Sequence, residues 1–182
     1  MSYICGQMSV VMEEKKYEKY NSNLREVNEA MVNYVQHIDK SSQHNINIEA
    51  FNYANFFDDK MLIIHSIKQG IPYTLFNKIK KITPFTDDDW ANYLNVSKKT
   101  LQRHAASSNY VFKPIHTEKI IELAEVTHLG NEVFDTQAQF YLWLNTPSYA
   151  LGNLKPAELL TDSYGKDLVM AELNRIEHGI FV

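Results

Sequence analysis

At 182 residues and 21.2 kDa, the chain has room for one larger domain or two small ones around a buried core, which excludes a large multidomain enzyme. A composition of 45% hydrophobic and 12% aromatic residues with a net charge of −4 excludes an intrinsically unfolded chain. The longest apolar run, 140–144, is five residues, against the roughly 18 that a membrane-spanning helix needs. No basic segment precedes a long apolar stretch at the N-terminus, so neither export nor a membrane partner is expected, and the expected location is cytoplasmic. The single cysteine, Cys5, excludes an intrachain disulfide and a multi-cysteine zinc site and fits a reducing compartment.

Glycine and proline number only six and five, too few for a β-sandwich with many tight turns, and the readable apolar spacing is helical, which predicts an all-α fold. Over 22–38 the stripe Leu24, Val27, Met31, Tyr34, Val35 and Ile38 predicts a first helix with Ser22 as N-cap. The Asn-rich stretch 40–55 has no period and reads as a connection. A second helix is expected over 59–69, stopped by Gly70, with Pro72 in the first turn of a third that carries Leu75, Phe76, Ile79 and Ile82 and ends at Pro84. Thr86 followed by three aspartates is a strong helix start, and Ser97 is another only eleven residues on, so two short helices are joined by a tight turn at Asn95-Val96. Beyond them, a long helix is predicted over 117–134 and one capped by Asp135 that stops at Pro147. A short helical turn then opens at Pro156, and a last helix runs from Asp162 or Ser163 to Gly179 with Val169, Leu173 and Ile176 on one face.

Charge is distributed unevenly. Residues 1–59 hold 5 basic against 9 acidic residues, 60–113 hold 9 against 3, and 114–182 hold 4 against 10, so a segment of +6 lies between flanks of −4 and −6. A basic middle segment is the asymmetry that nucleic-acid contact produces. It coincides with the paired short helices of 85–104. There Ala91 is the small residue where two helices cross, Trp90, Leu94, Val96 and Leu101 supply the inner faces, and Asn95 tolerates positive φ. The second helix is expected to present Ser97, Lys98, Lys99, Thr100, Gln102 and Arg103 to DNA. Gln bonds adenine, Arg bonds guanine, and lysines and hydroxyls suit phosphates.

Catalytic patterns are missing from the sequence. Seven histidines form no His-Glu-x-x-His motif, and no nucleophile elbow, phosphate-binding glycine loop or dinucleotide fingerprint occurs. Asp87-Asp88-Asp89 is accounted for as a helix start without an ion. No metal, cofactor or enzymatic activity is expected.

From about residue 61 to the end, the chain resembles the Xre/MbcA/ParS-type antitoxins that partner RES-domain toxins. The residues carrying the resemblance are Gly70-Ile71-Pro72, Leu94-Asn95-Val96-Ser97 leading to Thr100-Leu101, Val133-Phe134 and Trp143-Leu144-x-x-Pro147. They continue with Ala150-Leu151-Gly152, Pro156-x-x-Leu159-Leu160, Gly165 and Arg175-Ile176-Glu177-His178-Gly179. Two positions depart from that pattern: Lys155 replaces a hydroxyl cap and Asn153 a second glycine. The resemblance implies a type II antitoxin with an N-terminal helical extension over 1–58, an Xre-like helix-turn-helix domain over 59–113 and a toxin-binding domain over 114–182. The implied partners are a cognate RES-domain toxin, operator DNA through which the operon is autoregulated, and a second copy of the chain. Any NAD belongs to the toxin's chemistry and is not a cofactor of this chain. Toxin contact is expected at Arg175, His178, Gly179 and the apolar tail Ile180, Phe181 and Val182, with the Leu151-Gly152-Asn153 turn as the competing location. A stand-alone regulator with a C-terminal dimerisation domain is the alternative, and a helix-turn-helix retained only as a dimer scaffold is a third reading.

Overall fold

A computed structural model describes residues 2–42, 48–107 and 109–179 of the protein. Among them are nine α-helices and no strand: α1 Ser2–Ser42, α2 Lys60–Gln69, α3 Tyr73–Ile82, α4 Asp87–Tyr93, α5 Lys98–Ala105, α6 Pro114–Val133, α7 Gln137–Leu144, α8 Pro156–Leu159 and α9 Ser163–Glu177. The all-α class expected from the spacing is the class observed. Short 3-10 turns occupy Ile48–Ala50, Asn55–Phe57 and Tyr149–Leu151.

Local chemistry sets most of the helix starts. The Asp59 side chain accepts from the Leu62 N–H at 2.9 Å, and the Asp162 side chain accepts from the Gly165 N–H at 2.9 Å. Thr86 and Asp89 form a reciprocal capping box, with Asp89 N–H donating to Thr86 Oγ1 at 3.2 Å and Thr86 N–H to Asp89 Oδ2 at 2.8 Å.

Three boundaries differ from the sequence expectation. Helix α1 begins at Ser2, so Ser22 is an exposed position inside it and caps nothing. The Glu- and Lys-rich run 13–19 consists of good helix formers and extends the helix through the expected start. Thr136, not Asp135, caps α7, because Thr136 is placed to exchange bonds with Gln139 in a second capping box. Helix α6 starts at Pro114, which needs no amide partner there. Thr117 is therefore a fully buried helical residue whose hydroxyl accepts from Ile71 N–H (3.1 Å) and donates to the Phe112 carbonyl (3.2 Å).

Helix α6 is the central element, packed against both α2 and α9, while α1 packs on α3. The face of α1 made by Val27, Met31, Tyr34, Val35 and Ile38 is buried in the same core as Leu75, Ile79 and Ile82 of α3. The Tyr34 hydroxyl donates to the carbonyls of Ser66 (3.2 Å) and Gly70 (2.9 Å), which ties α1 to the α2–α3 junction. The 40–55 connection is less bland than its composition, because Tyr53, with Phe56 and Phe57 just beyond it, is buried. The Tyr53 N–H donates to Asn28 Oδ1 of α1 at 2.7 Å. Lys60 of α2 and Lys166 of α9 converge on Glu125 of α6, at 3.4 and 2.7 Å. Helix α7 comes close to α6 at Gly130, where an added Cβ would lie 2.3 Å from the Phe140 ring.

Candidate nucleic-acid and partner surfaces

The α4–α5 pair has the geometry of a helix-turn-helix. Val96 N–H donates to the Ala91 carbonyl at 2.9 Å, and Asn95 takes the positive φ, +49°, that lets the chain reverse within one turn. Ser97 caps α5, its Oγ accepting from the Thr100 N–H at 3.0 Å. Behind the pair, the fully buried Trp90 meets Phe76 and Phe85 edge-on, with ring centroids 5.0 and 5.8 Å away, and donates its indole N–H to Thr83 Oγ1 at 3.3 Å. Leu94 and Leu101 are buried and Val96 is half-buried, as the inner faces require.

Of the expected DNA-facing residues, Ser97, Lys98, Lys99, Gln102 and Arg103 are exposed, and Thr100 is half-buried. Their chemistry is not uniform. The Ser97 and Thr100 hydroxyls lie 2.8 Å apart and serve the cap. Lys98 Nζ sits 2.8 Å from Asp88 Oδ1, and this hydrogen-bonded pairing raises the lysine's pKa. The acidic start of α4 thus faces the first turn of α5 and offsets one of its three cations. Lys99 and Arg103 make no ion pair among the described residues, which leaves them as the positive charges of this helix open to phosphate. The basic character of 60–113 is also partly spent internally: Lys78 and Lys81 reach Glu26 of α1, both at 3.2 Å, and Lys80 reaches Asp87 at 2.6 Å.

In the C-terminal part, the expected partner residues fall into separate environments. Leu151 is buried and its side chain belongs to the core. Gly152 and Asn153, at φ +69° and +61°, are exposed in a small loop closed by the Ser148 N–H to Leu154 carbonyl bond of 3.0 Å. Arg175 is half-buried and paired with Glu172 at 3.0 Å, and His178 Nδ1 lies 2.8 Å from the Asn174 carbonyl at the end of α9. Gly179 is exposed at φ +68° and ends the helix as expected. Ile180, Phe181 and Val182 lie outside the described residues.

Sequence reading missed an apolar stripe on the same helix. Tyr164 is 88% and Leu168 is 56% exposed. With Ala171, Arg175 and His178 they recur at spacings of four, three, four and three, which places them in one line along α9 beside the buried line of Gly165, Val169 and Leu173. The 3.6-residue period would have separated two apolar lines on this helix, one more than its own core needs. Tyr149 and Leu154, on the closed loop, are 80% and 46% exposed. Among the described residues no group of three or more His, Cys, Asp or Glu side chains is arranged for a metal ion, and no helix is long and apolar enough to cross a membrane.

Two family models match adjacent parts of the chain. Residues 63–125 match the family described as the antitoxin Xre-like helix-turn-helix domain. Residues 129–179 match the antitoxin Xre/MbcA/ParS C-terminal toxin-binding domain. The chain is 23% identical over 121 residues to Antitoxin Xre of Yersinia enterocolitica serotype O:8, covering 66% of this chain and 81% of that protein. It is 25% identical over 118 residues to Antitoxin Xre of Photorhabdus laumondii subsp. laumondii, covering 63% and 77%. A chain in the crystal structure of the M. tuberculosis MbcT–MbcA toxin–antitoxin complex is 23% identical, with 59% of this chain and 94% of that chain covered and a TM-score of 0.49.

Proposed function

Since the chain belongs to the Xre/MbcA/ParS antitoxin family, we propose that it neutralises a cognate RES-domain toxin by covering the toxin's active site with its C-terminal domain. In the same proposal its helix-turn-helix binds operator DNA to repress the operon, and two copies of the chain pair within the complex. The division of labour follows the segments 59–113 for DNA and 114–182 for the toxin, with the 27–38 face of α1 packed against α3 of the first. The observation that carries the toxin half is the exposed line Tyr164, Leu168 and Ala171 leading to Arg175 and His178. It lies within the segment that matches a toxin-binding domain. Apolar side chains in such a line gain about 1.5–3 kcal/mol each when a partner fully desolvates them. Arg175 at the end of the line is already paired with Glu172, so the apolar side chains rather than this cation carry the contact.

Co-expression with the toxin gene tests this. Replacing Tyr164 and Leu168 together by Asp should weaken toxin binding at least about hundredfold and restore toxicity. Glu29→Gln, at an exposed position of α1, should leave both unchanged. Full protection by the double variant would remove the α9 line from the interface and direct attention to Gly152 and Asn153.

The DNA half is tested by gel shift on the protein's own promoter. Lys99→Ala should weaken binding at every sequence and lower the salt slope by about 0.9. Lys98→Ala should cost less, because Asp88 already holds that charge. Gln102→Ala should relax preference at one base pair by about 1–3 kcal/mol. A chain that binds no DNA alone or with its toxin uses the helix-turn-helix as a scaffold.

A further inference from the structure

The start of α4 and the start of α5 meet through one ion pair that bears directly on nucleic-acid contact. In a helix-turn-helix the N-terminal residues of the second helix enter the major groove while the first helix crosses the sugar–phosphate backbone. Lys98 is the first residue of α5, and Asp88 lies in the first turn of α4. Lys98 Nζ sits 2.8 Å from Asp88 Oδ1 and 2.9 Å from Oδ2, so the ammonium is centred across both carboxylate oxygens. Both side chains are exposed, which places the pair on the outer surface of the two helices rather than between them and the core.

The two neighbouring carboxylates are engaged elsewhere. Asp89 is held in the capping box with Thr86, and Asp87 pairs with Lys80 of α3 at 2.6 Å. Of the three acids, Asp88 is the one paired with the recognition helix. A lysine neutralised by a carboxylate presents no net charge to DNA and releases no counterion when phosphate approaches. For Lys98 to take a phosphate it must leave Asp88, and the bared carboxylate then stands beside the same polyanion and repels it. Lys99 and Arg103 meet phosphate without that opposing charge.

We propose that Asp88 restrains DNA binding by holding Lys98 off the nucleic-acid backbone, so that the affinity of the helix-turn-helix is set below what its own cations would give. The inference rests on the DNA-binding reading and assigns Asp88 as a positioning residue that acts through Lys98. The contact withheld is to phosphate, which carries no sequence information. The restraint therefore falls equally on operator and non-operator DNA, and sequence preference stays with Gln102 and Arg103.

Fluorescence anisotropy with the full chain tests the restraint on two labelled duplexes, its own promoter fragment and a scrambled one of equal length. Asp88→Asn should bind both duplexes about three- to tenfold tighter than the wild type, with a salt slope steeper by about 0.9 for the one phosphate contact released. Asp88→Ser, which also removes the charge, should show the same gain, so the test stays decisive if the asparagine variant loses structure. Glu177→Gln, which removes an exposed carboxylate at the end of α9, should bind as the wild type. Lys98→Ala separates a hold on Lys98 from a simple change in net charge. It should weaken binding more in the Asp88→Asn background than in the wild type, because only there is Lys98 free to reach phosphate. Equal weakening in both backgrounds, or no gain in either Asp88 variant, overturns the restraint while leaving DNA binding intact. An absence of binding by both the wild type and Asp88→Asn at low salt overturns both readings.

Discussion

Trp90→Ala should cost about 3–5 kcal/mol of stability, the range for removing a large buried aromatic. The indole is fully buried where α3, the 83–86 connection and the helix-turn-helix meet, edge-on to Phe76 and Phe85. Removing it leaves a cavity beneath α4 and frees the Thr83 hydroxyl from the indole N–H, although that hydroxyl still donates to the Lys80 carbonyl at 2.9 Å. The penalty is therefore mostly packing, and Trp90→Phe, which keeps an aromatic ring in the site, should cost less. Urea unfolding reads the difference directly. A loss below about 1.5 kcal/mol for the alanine variant would mean that the helix-turn-helix is packed far less tightly than its ring contacts require. Because α4 sets the position of α5, promoter binding should fall with stability in the alanine variant and be largely retained in the phenylalanine one.

Gly165→Ala should be nearly as damaging to the C-terminal part. A Cβ at this position would lie 2.0 Å from the Leu159 carbonyl oxygen and 2.8 Å from its carbon. Those are backbone atoms, so no rotamer change relieves the overlap and α8 and α9 must separate, at about 1–3 kcal/mol. The same shift moves Tyr164 and Leu168, so toxin neutralisation should weaken while promoter binding stays near normal. Gly152→Ala provides the comparison. It has positive φ but open space around the added atom, so its cost is limited to the backbone conformation, about 1 kcal/mol. A thermal melt that ranks Gly152→Ala as the more harmful would show that α8 and α9 have freedom to part.

The features that were legible in the sequence depend on a few neighbouring residues. Thr86 and Ser97 cap the helices they were expected to start, and Asp59 and Asp162 cap helices whose starts were expected at or beside them, because a cap is a bond between a side chain and an amide two or three residues on. Asn95 takes positive φ for an equally local reason. The ordered residues of the antitoxin resemblance, Gly165 among them, were readable too, although the backbone contact that demands glycine there appears only when α8 meets α9. Where two local signals competed, the sequence was ambiguous. Asp135 and Thr136 both suit a cap, and only Thr136 has a partner three residues ahead to complete a reciprocal pair.

Tertiary structure decided the rest, since burial and charge state are set by residues far apart in the chain. Leu151 was placed in a binding turn by its position, but contact with α9 draws its side chain into the core. Tyr164 and Leu168 are ordinary apolar residues in the sequence, and they become a candidate docking line only because Val169 and Leu173 take the core-facing side. Lys98 reads in the sequence as one of the DNA-facing residues, and only the crossing of α4 and α5 brings Asp88 to it. His104 and His116 have no motif spacing, and it is Phe112, edge-on to both rings, that makes them neighbours. Composition and local spacing determined that the chain is helical and where most helices start. The physical reason they could not determine its surfaces is that exposure and pKa depend on which elements pack together, and that packing is a property of the whole fold.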